Sequence, residues 1–353
     1  MVPSSSHQAH KSTPPIIDVG ALLQPHPSPH RESVVREIGA ACRLWGFFHA
    51  SNHGIPPELI SAFQGQMKSF FALPLSSKLE IKRTANNSRG FANDELTKQL
   101  KDSKEIVDLG GPHESDGRVV LDGTNQWPDP STLPLFRPIV EQYYAACEGV
   151  AARILDALSV DLGVDSQVFT SSFLNHSSFL RLNHYPVRSA IDFAIAADSG
   201  TPLLGISRHT DAGVLTVLLQ DDVSSLQVYS GSKQDADDGV WVPVSPVDGA
   251  LTINTGDMLQ IWSNDVYGAP EHRVIASREK VRFSAPFFYN PRYDADIEPL
   301  AGRDIGEPKK YKKLSWGEFR RKRFAGDYAD LGKETQIEDY RVTEGEDDRD
   351  GEL

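Results

Sequence analysis

The chain has 353 residues, 39% of them hydrophobic and 24% charged, with a formal net charge of −13. That composition supports a large core and excludes wholesale disorder, and the acidic balance argues against a nucleic-acid partner, which needs a net basic face. No apolar run approaches the ~20 residues of a membrane helix and Met1–Pro15 lacks the apolar segment of a secretory signal, so a cytoplasmic protein without a membrane partner, acting as a monomer, is expected.

In chain order, residues 1–13 read as a mobile tail and Pro15–Val19 as a short strand. From Glu32 the apolar positions Val34, Ile38, Cys42 and Trp45 recur at helical spacing. Gly46–Ala50 is a compact apolar strand closed by the turn Asn52-His53-Gly54. A second helix runs from Pro57, tolerated in the first turn, through Ile60, Phe63, Met67 and Phe70. Ser77-Lys78-Leu79-Glu80 matches a capping box and is expected to open a further short helix. Residues 84–130 lack sustained periodicity and are rich in Gly, Asn, Asp and Pro, which predicts a functional loop region or poor order. A long helix follows, with Phe136, Ile139, Tyr143, Cys147, Val150, Ile154 and Leu158 on one stripe and a stop near Gly163. Cys42 and Cys147 both fall inside these helices, so buried thiols in a reducing compartment are expected rather than a disulfide.

From about Ser178 the texture changes to short β-type runs: Phe179–Tyr185, Gly213–Gln220, Leu226–Tyr229, Trp241–Pro243, Ala250–Ile253, Met258–Trp262, His272–Ala276 and Arg282–Tyr289. Short strands with turn signals between them predict an antiparallel sandwich or barrel. A polar insertion, Gly231–Gly239, reads as an enlarged hairpin tip. The basic stretch Lys309–Arg323 precedes an acidic end, and the reading is a solvated or internally paired helix surface. The segments are thus a tail (1–13), an N-terminal region (14–130), a connecting helix (131–177), a β core (178–300) and a C-terminal helix with an acidic tail (301–353).

The chain has 11 histidines, and most have structural readings. His209-Thr210-Asp211 is different: on a strand, side chains two apart share a face, which would set an imidazole beside a carboxylate. His272 begins a later β-type run. Two histidines and a carboxylate on one face of a metal are the ligands of non-haem iron(II) oxygenases, while zinc can use the same set in a hydrolytic site. Alone, His-x-Asp is a weak signal. Arg282-Phe283-Ser284 adds a guanidinium and a hydroxyl on one strand face, suited to gripping a carboxylate. Asn183-His184-Tyr185-Pro186 puts Asn183 and Tyr185 on one face and His184 on the other, which leaves His184 out of the ligand set.

Together these residues resemble the plant- and fungus-type branch of the 2-oxoglutarate/iron(II) dioxygenases, the isopenicillin N synthase-like branch. The resemblance extends over most of the chain, including Gly46–Pro56, Phe70–Ile81, Gly256–Asn264, Trp316-Gly317-Glu318-Phe319 and Gly326-Asp327-Tyr328. It implies a mainly β, α+β fold: a double-stranded β-helix (jelly-roll) core with an N-terminal helix-rich region and a C-terminal helix. It implies that His209, Asp211 and His272 bind Fe(II), that Arg282 and Ser284 hold the distal carboxylate of 2-oxoglutarate with Tyr185 near the same group, and that Asn183 lines the co-substrate side. O₂ would be the oxidant, with ascorbate a candidate reductant, and a small organic molecule would be hydroxylated, desaturated or cyclised with release of succinate and CO₂. His184, where Tyr is frequent, and Ser225, where Gly is common, depart from the pattern without touching a ligand. Competing readings are a 2-oxoglutarate-independent oxidase and a non-catalytic binding relative. Substrate contacts are expected from Arg89–Lys104 and from residues after Arg282, with Phe91 and Phe288 as candidates and a partly apolar substrate in specialised metabolism.

Overall fold

A computed structural model describes residues 13–24, 27–84, 86–97, 100–111, 123–198, 200, 202–231, 239–302, 305–306, 308–328 and 335–343. The expected N-terminal tail, up to residue 12, the tip of the Gly231–Gly239 insertion and the acidic end beyond residue 343 lie outside the described residues.

Strand β1 (Ile16–Asp18) pairs in parallel with β2 (Phe47–Ser51) across the helix α1 (Pro29–Leu44). α1 begins before Glu32 because the Ser28 side chain accepts from the Arg31 N–H at 3.1 Å and Pro29 occupies the first turn, a favourable N-terminal pair. Helix α2 (Pro57–Phe71) buries the expected Phe63, Met67 and Phe70. The short helix α3 (Leu75–Leu79) corrects the capping-box reading. It starts after Pro74, and Ser77-Lys78-Leu79-Glu80 closes it, with Glu80 as its C-cap. Proline's fixed φ sets the entry there, so no side-chain cap is needed.

Residues 84–130 are also corrected, for they contain β3 (Gly90–Ala92), a small hairpin β4 (Leu96–Thr97) and β5 (Leu100–Lys101), and β6 (Glu105–Gly110). β6 is buried on both faces and interrupted by Asp108, whose carboxylate is bonded to Arg181 at 2.7 Å. A buried polar residue inside a two-sided strand erases the alternation that periodicity relies on. Helix α4 (Phe136–Leu162) ends at Gly163, which takes the left-handed conformation (φ 66°) that glycine tolerates at a helix end.

Then come α5 (Ser166–Ser172), β7 (Phe179–Tyr185), α6 (Ala190–Asp198), β8 (Leu204–His209), β9 (Leu215–Gln220), β10 (Leu226–Ser230), β11 (Val240–Pro243) and β12 (Leu251–Thr255). Met258–Trp262, expected as a strand, is helical: α7 (Asp257–Trp262), with every residue buried. A short, mostly apolar run cannot distinguish the two states. The chain continues through β13 (His272–Ile275), β14 (Arg282–Tyr289), β15 (Asp296–Ile297), β16 (Leu314–Ser315) and α8 (Trp316–Tyr328).

The larger sheet has eight strands in the order β1-β2-β12-β9-β14-β7-β6-β3, and the second sheet has four, β11-β10-β13-β8. This is the expected jelly-roll core with helices on one side. Leu215, Val217, Leu219, Ala285 and Phe287 turn toward α4 and join the main apolar cluster. The alternate residues of the same strands turn inward to the smaller sheet, where Tyr185, Leu218, Leu226 and Val274 pack together. That period of two delivers the inward-facing side chains to one cavity. Cys42 and Cys147 are free and buried, as expected, and burial raises both thiol pKa values.

Candidate functional site

β13 runs antiparallel to β8 with His272 opposite His209, and this register alone puts the two imidazoles side by side, ring centres 4.3 Å apart. Asp211 is not on the strand, contrary to the alternation reading. β8 ends at His209, and the turn that follows brings the carboxylate back. Its Oδ1 lies 3.9 Å from His209 Nε2 and 3.6 Å from His272 Nε2. One ligand atom from each residue falls within 4.8 Å of the others.

The surrounding hydrogen bonds decide which atoms face inward. His209 Nδ1 lies 2.7 Å from the Ser207 carbonyl and His272 Nδ1 lies 3.1 Å from the Pro270 carbonyl. A carbonyl only accepts, so each Nδ1 carries the proton and each Nε2 presents a bare lone pair to the centre. Asp211 Oδ2 accepts from Thr216 Oγ1 at 2.5 Å and from Asn254 Nδ2 at 2.7 Å, leaving Oδ1 for the centre. Thr216 and Asn254 are direct partners across β9 and β12. Burial, with His272 beside it, pushes the His209 pKa down to about 3, so the ring stays neutral. Burial opposes ionisation of Asp211, but the hydrogen bonds donated by Thr216 and Asn254 stabilise the carboxylate, and its pKa lies below the usual carboxylate value. Converging lone pairs with every outward atom satisfied fit a divalent cation, and the N₂O donor set suits iron(II).

Two close approaches fix the Asp211 loop. A Cβ on Gly256 would lie 2.3 Å from the Gly213 carbonyl oxygen and 2.9 Å from that of Asp211, so only glycine lets α7 start there. From α8, the buried Arg323 donates to the Thr210 carbonyl at 3.1 Å and to Gln336 Oε1 at 2.9 Å.

The second expected group also assembles. β14 pairs with β7 so that Arg282 faces Tyr185 and Ser284 faces Asn183. The Arg282 guanidinium, 1% exposed, reaches Ser284 Oγ at 3.3 Å and Gln220 Oε1 at 3.0 Å and sits 5.0 Å from the Tyr185 ring centre. Among the described residues, its Nε and the nearby Asn183 Oδ1 have no hydrogen-bond partner, and no carboxylate lies within ion-pair distance of the guanidinium. A buried cation without a counter-ion is costly, so this geometry fits an anion supplied from outside. His184, as expected, points away, bonding Glu105 at 2.8 Å.

Triad and Arg282 line one cavity of about 150 Å³. Phe288 reaches it and packs on Phe179, ring centres 4.8 Å apart. Phe91 does not. It is fully buried in the apolar core, 6.4 Å from the Phe70 ring centre, because β3 turns this side chain toward α2. On the cavity wall itself, Glu95 binds Lys104 and Arg181, each at 2.8 Å, and these cations hold its carboxyl ionised against burial. Sequence reading missed Thr216, Asn254, Gln220 and Arg323. Thr216 had a signal, as the lone polar residue in the apolar run Leu215–Leu219. Arg323 had none, since its contact with the Thr210 carbonyl closes across 113 residues of chain.

Residues 14–130 match the family model described as non-haem dioxygenase in morphine synthesis N-terminal, and residues 176–291 match the 2OG-Fe(II) oxygenase superfamily. A homoarginine-6-hydroxylase of Glycine max is 32% identical, with 91% of this chain and 98% of that protein covered. The crystal structure of JOX2 with 2OG, Fe and JA superposes with a TM-score of 0.75 at 30% identity, covering 94% of this chain and 90% of that one. Full-length Neurospora crassa T7H with alpha-KG and thymine gives 0.77 at 24% identity over 90% of this chain and 98% of its own, a likeness of fold.

Proposed function

The chain belongs to the 2OG-Fe(II) oxygenase superfamily, and from that premise we propose that it oxidises a small organic molecule, by default through hydroxylation, with 2-oxoglutarate and O₂ consumed and succinate and CO₂ released. The observation that carries this reading is a single cavity holding both a His-Asp-His cluster with inward lone pairs and a buried guanidinium without a carboxylate.

In this reading His209, Asp211 and His272 would hold Fe(II). Iron held there would supply the redox chemistry for O₂, with one oxygen atom going to succinate and the other to the substrate. Arg282 and Ser284 fix the far carboxylate of 2-oxoglutarate, with Tyr185 supporting the guanidinium face and Asn183 bordering the same end. Leu218, Leu226 and Val274 form an apolar wall that strengthens these contacts by excluding water. Thr216 and Asn254 orient Asp211, and Phe288 with Phe179 borders the substrate.

The segments 14–130, 131–177, 178–300 and 301–353 serve as N-terminal region, connecting helix, catalytic core and closing helix. The protein acts as a monomer in the cytoplasm on free small molecules. In support, among the described residues no helix is long and apolar enough to cross a membrane, and the net charge of −13 opposes nucleic acid. The test is release of succinate from 2-oxoglutarate by the Fe(II)-loaded protein under air. Release above that of the His272→Ala variant is expected; equal release by both would remove the enzymatic reading.

A further inference from the structure

The basic stretch Lys309–Arg323 divides by direction. Lys309, Lys313 and Lys322 meet Glu298, Asp296 and Glu318 at 2.7, 2.6 and 2.8 Å on the surface, as the sequence reading expects. Arg320 and Arg323 turn inward and line the cavity. Arg323 is occupied by carbonyl and amide oxygens. Arg320 is half-buried, with no ion pair or hydrogen bond among the described residues, and its guanidinium lies 5.7 Å from the Phe179 ring centre and 5.5 Å from that of Phe324.

We propose that Arg320 is an anion-binding residue at the substrate end of the cavity, and that the substrate is an organic acid whose carboxylate pairs with it while its apolar body lies on Phe179 and Phe288. The inference rests on the reading of the cavity as an oxygenase site and names the class of its substrate. The charge balance supports it. Arg181, also near Phe179, is held by both oxygens of Asp108 and by Glu95. Glu95, the acid on this wall, is already matched by Lys104, Arg181 and Arg83 and does not repel an incoming anion. Arg320 is thus a cation that the surrounding carboxylates do not offset. A guanidinium flanked by aromatic rings offers its hydrogen bonds in its own plane, which suits a planar, two-oxygen carboxylate. The rings on either side favour an apolar body.

The experiment uses the full chain loaded with Mn(II) and saturating 2-oxoglutarate, so that Arg282 is occupied. Octanoate, 4-phenylbutyrate and cinnamate are titrated against their methyl esters by ligand-observed NMR. At least one acid is expected to bind roughly ten- to a hundredfold more tightly than its ester, the range for a charge-assisted bond. Arg320→Gln should bring the acid down to the level of the ester, and Arg320→Lys should restore part of the difference, both with unchanged affinity for 2-oxoglutarate. Absence of binding by all three acids, equal binding of acids and esters, or a preference that survives in Arg320→Gln would overturn the proposal, the last leaving Arg320 as packing for Phe179. Failure of the wild-type protein to bind 2-oxoglutarate with Mn(II) would instead overturn the oxygenase reading, and this inference with it.

Discussion

At the inner end of the cavity, His209, His272, Arg282 and Ser284 occupy strand positions set by ladder register, whereas the mouth is assembled from the start of β7, the end of β14 and one face of α8. The two ends also differ in how their polar groups are satisfied. Around the triad, each outward nitrogen or oxygen has a partner. At the mouth, Arg320 lies near the rings of Phe179 and Phe324 and makes no hydrogen bond or ion pair among the described residues. A reaction that needs one fixed geometry is thus built where pairing and hydrogen bonds over-determine the side chains. Selectivity is left to groups whose last partner comes with the substrate.

The sharpest way to break this contrast is at the triad. Asp211→Ala should abolish both the visible band of an Fe(II)-chelated keto acid and succinate formation, because an N₂ pair alone does not complete the metal face. Retention of either in the purified variant would show that the metal sits elsewhere. At the far wall, Arg282→Ala should raise the KM for 2-oxoglutarate roughly ten- to a hundredfold with Fe(II) binding kept, read from steady-state kinetics beside a metal titration. One layer out, Thr216→Val removes one of two bonds to Asp211 Oδ2 and should weaken Fe(II) binding by about tenfold, the low end for such supporting groups. A competition assay with a metal-chelating dye measures it, and unchanged affinity would mean Asn254 suffices.

The mouth should respond differently. Phe288→Ala should leave 2-oxoglutarate affinity intact but raise the succinate-to-product ratio as the substrate loses its wall. Phe91→Ala, in the core rather than the cavity, should lower stability by roughly 3–5 kcal/mol with coupling unchanged. Measuring melting curves and stoichiometry on both variants separates the two aromatic residues, which composition alone treats alike.

That pair also shows where sequence reading succeeds. Phe288 was placed by strand alternation from Arg282, and the continuous β14 ladder preserves that alternation over its whole length. Phe91 was assigned by loop composition, which says nothing about the direction of a side chain. The long helix to Gly163 was legible because its stripe is regular and its stop is glycine. β6 was not, because Asp108 is buried in an ion pair that forms only in the fold. His209 and Asp211 were correctly joined for an inexact reason, since a turn and not a strand brings them together. Arg320 lay within a stretch read as solvated, because spacing along a chain does not reveal which cations of a helix meet acids and which meet a cavity.

The central claim is that one molecule of 2-oxoglutarate spans the cavity from the triad to Arg282. Its most direct test is an anaerobic titration of the Fe(II)-loaded protein with 2-oxoglutarate and with 2-oxobutyrate, which lacks the distal carboxylate, in wild type and in Arg282→Ala. The expected result is a visible charge-transfer band in wild type at far lower concentrations of 2-oxoglutarate than of 2-oxobutyrate, and nearly equal requirements for the two in the variant. No band in wild type, or equal affinity of wild type for both keto acids, would contradict it.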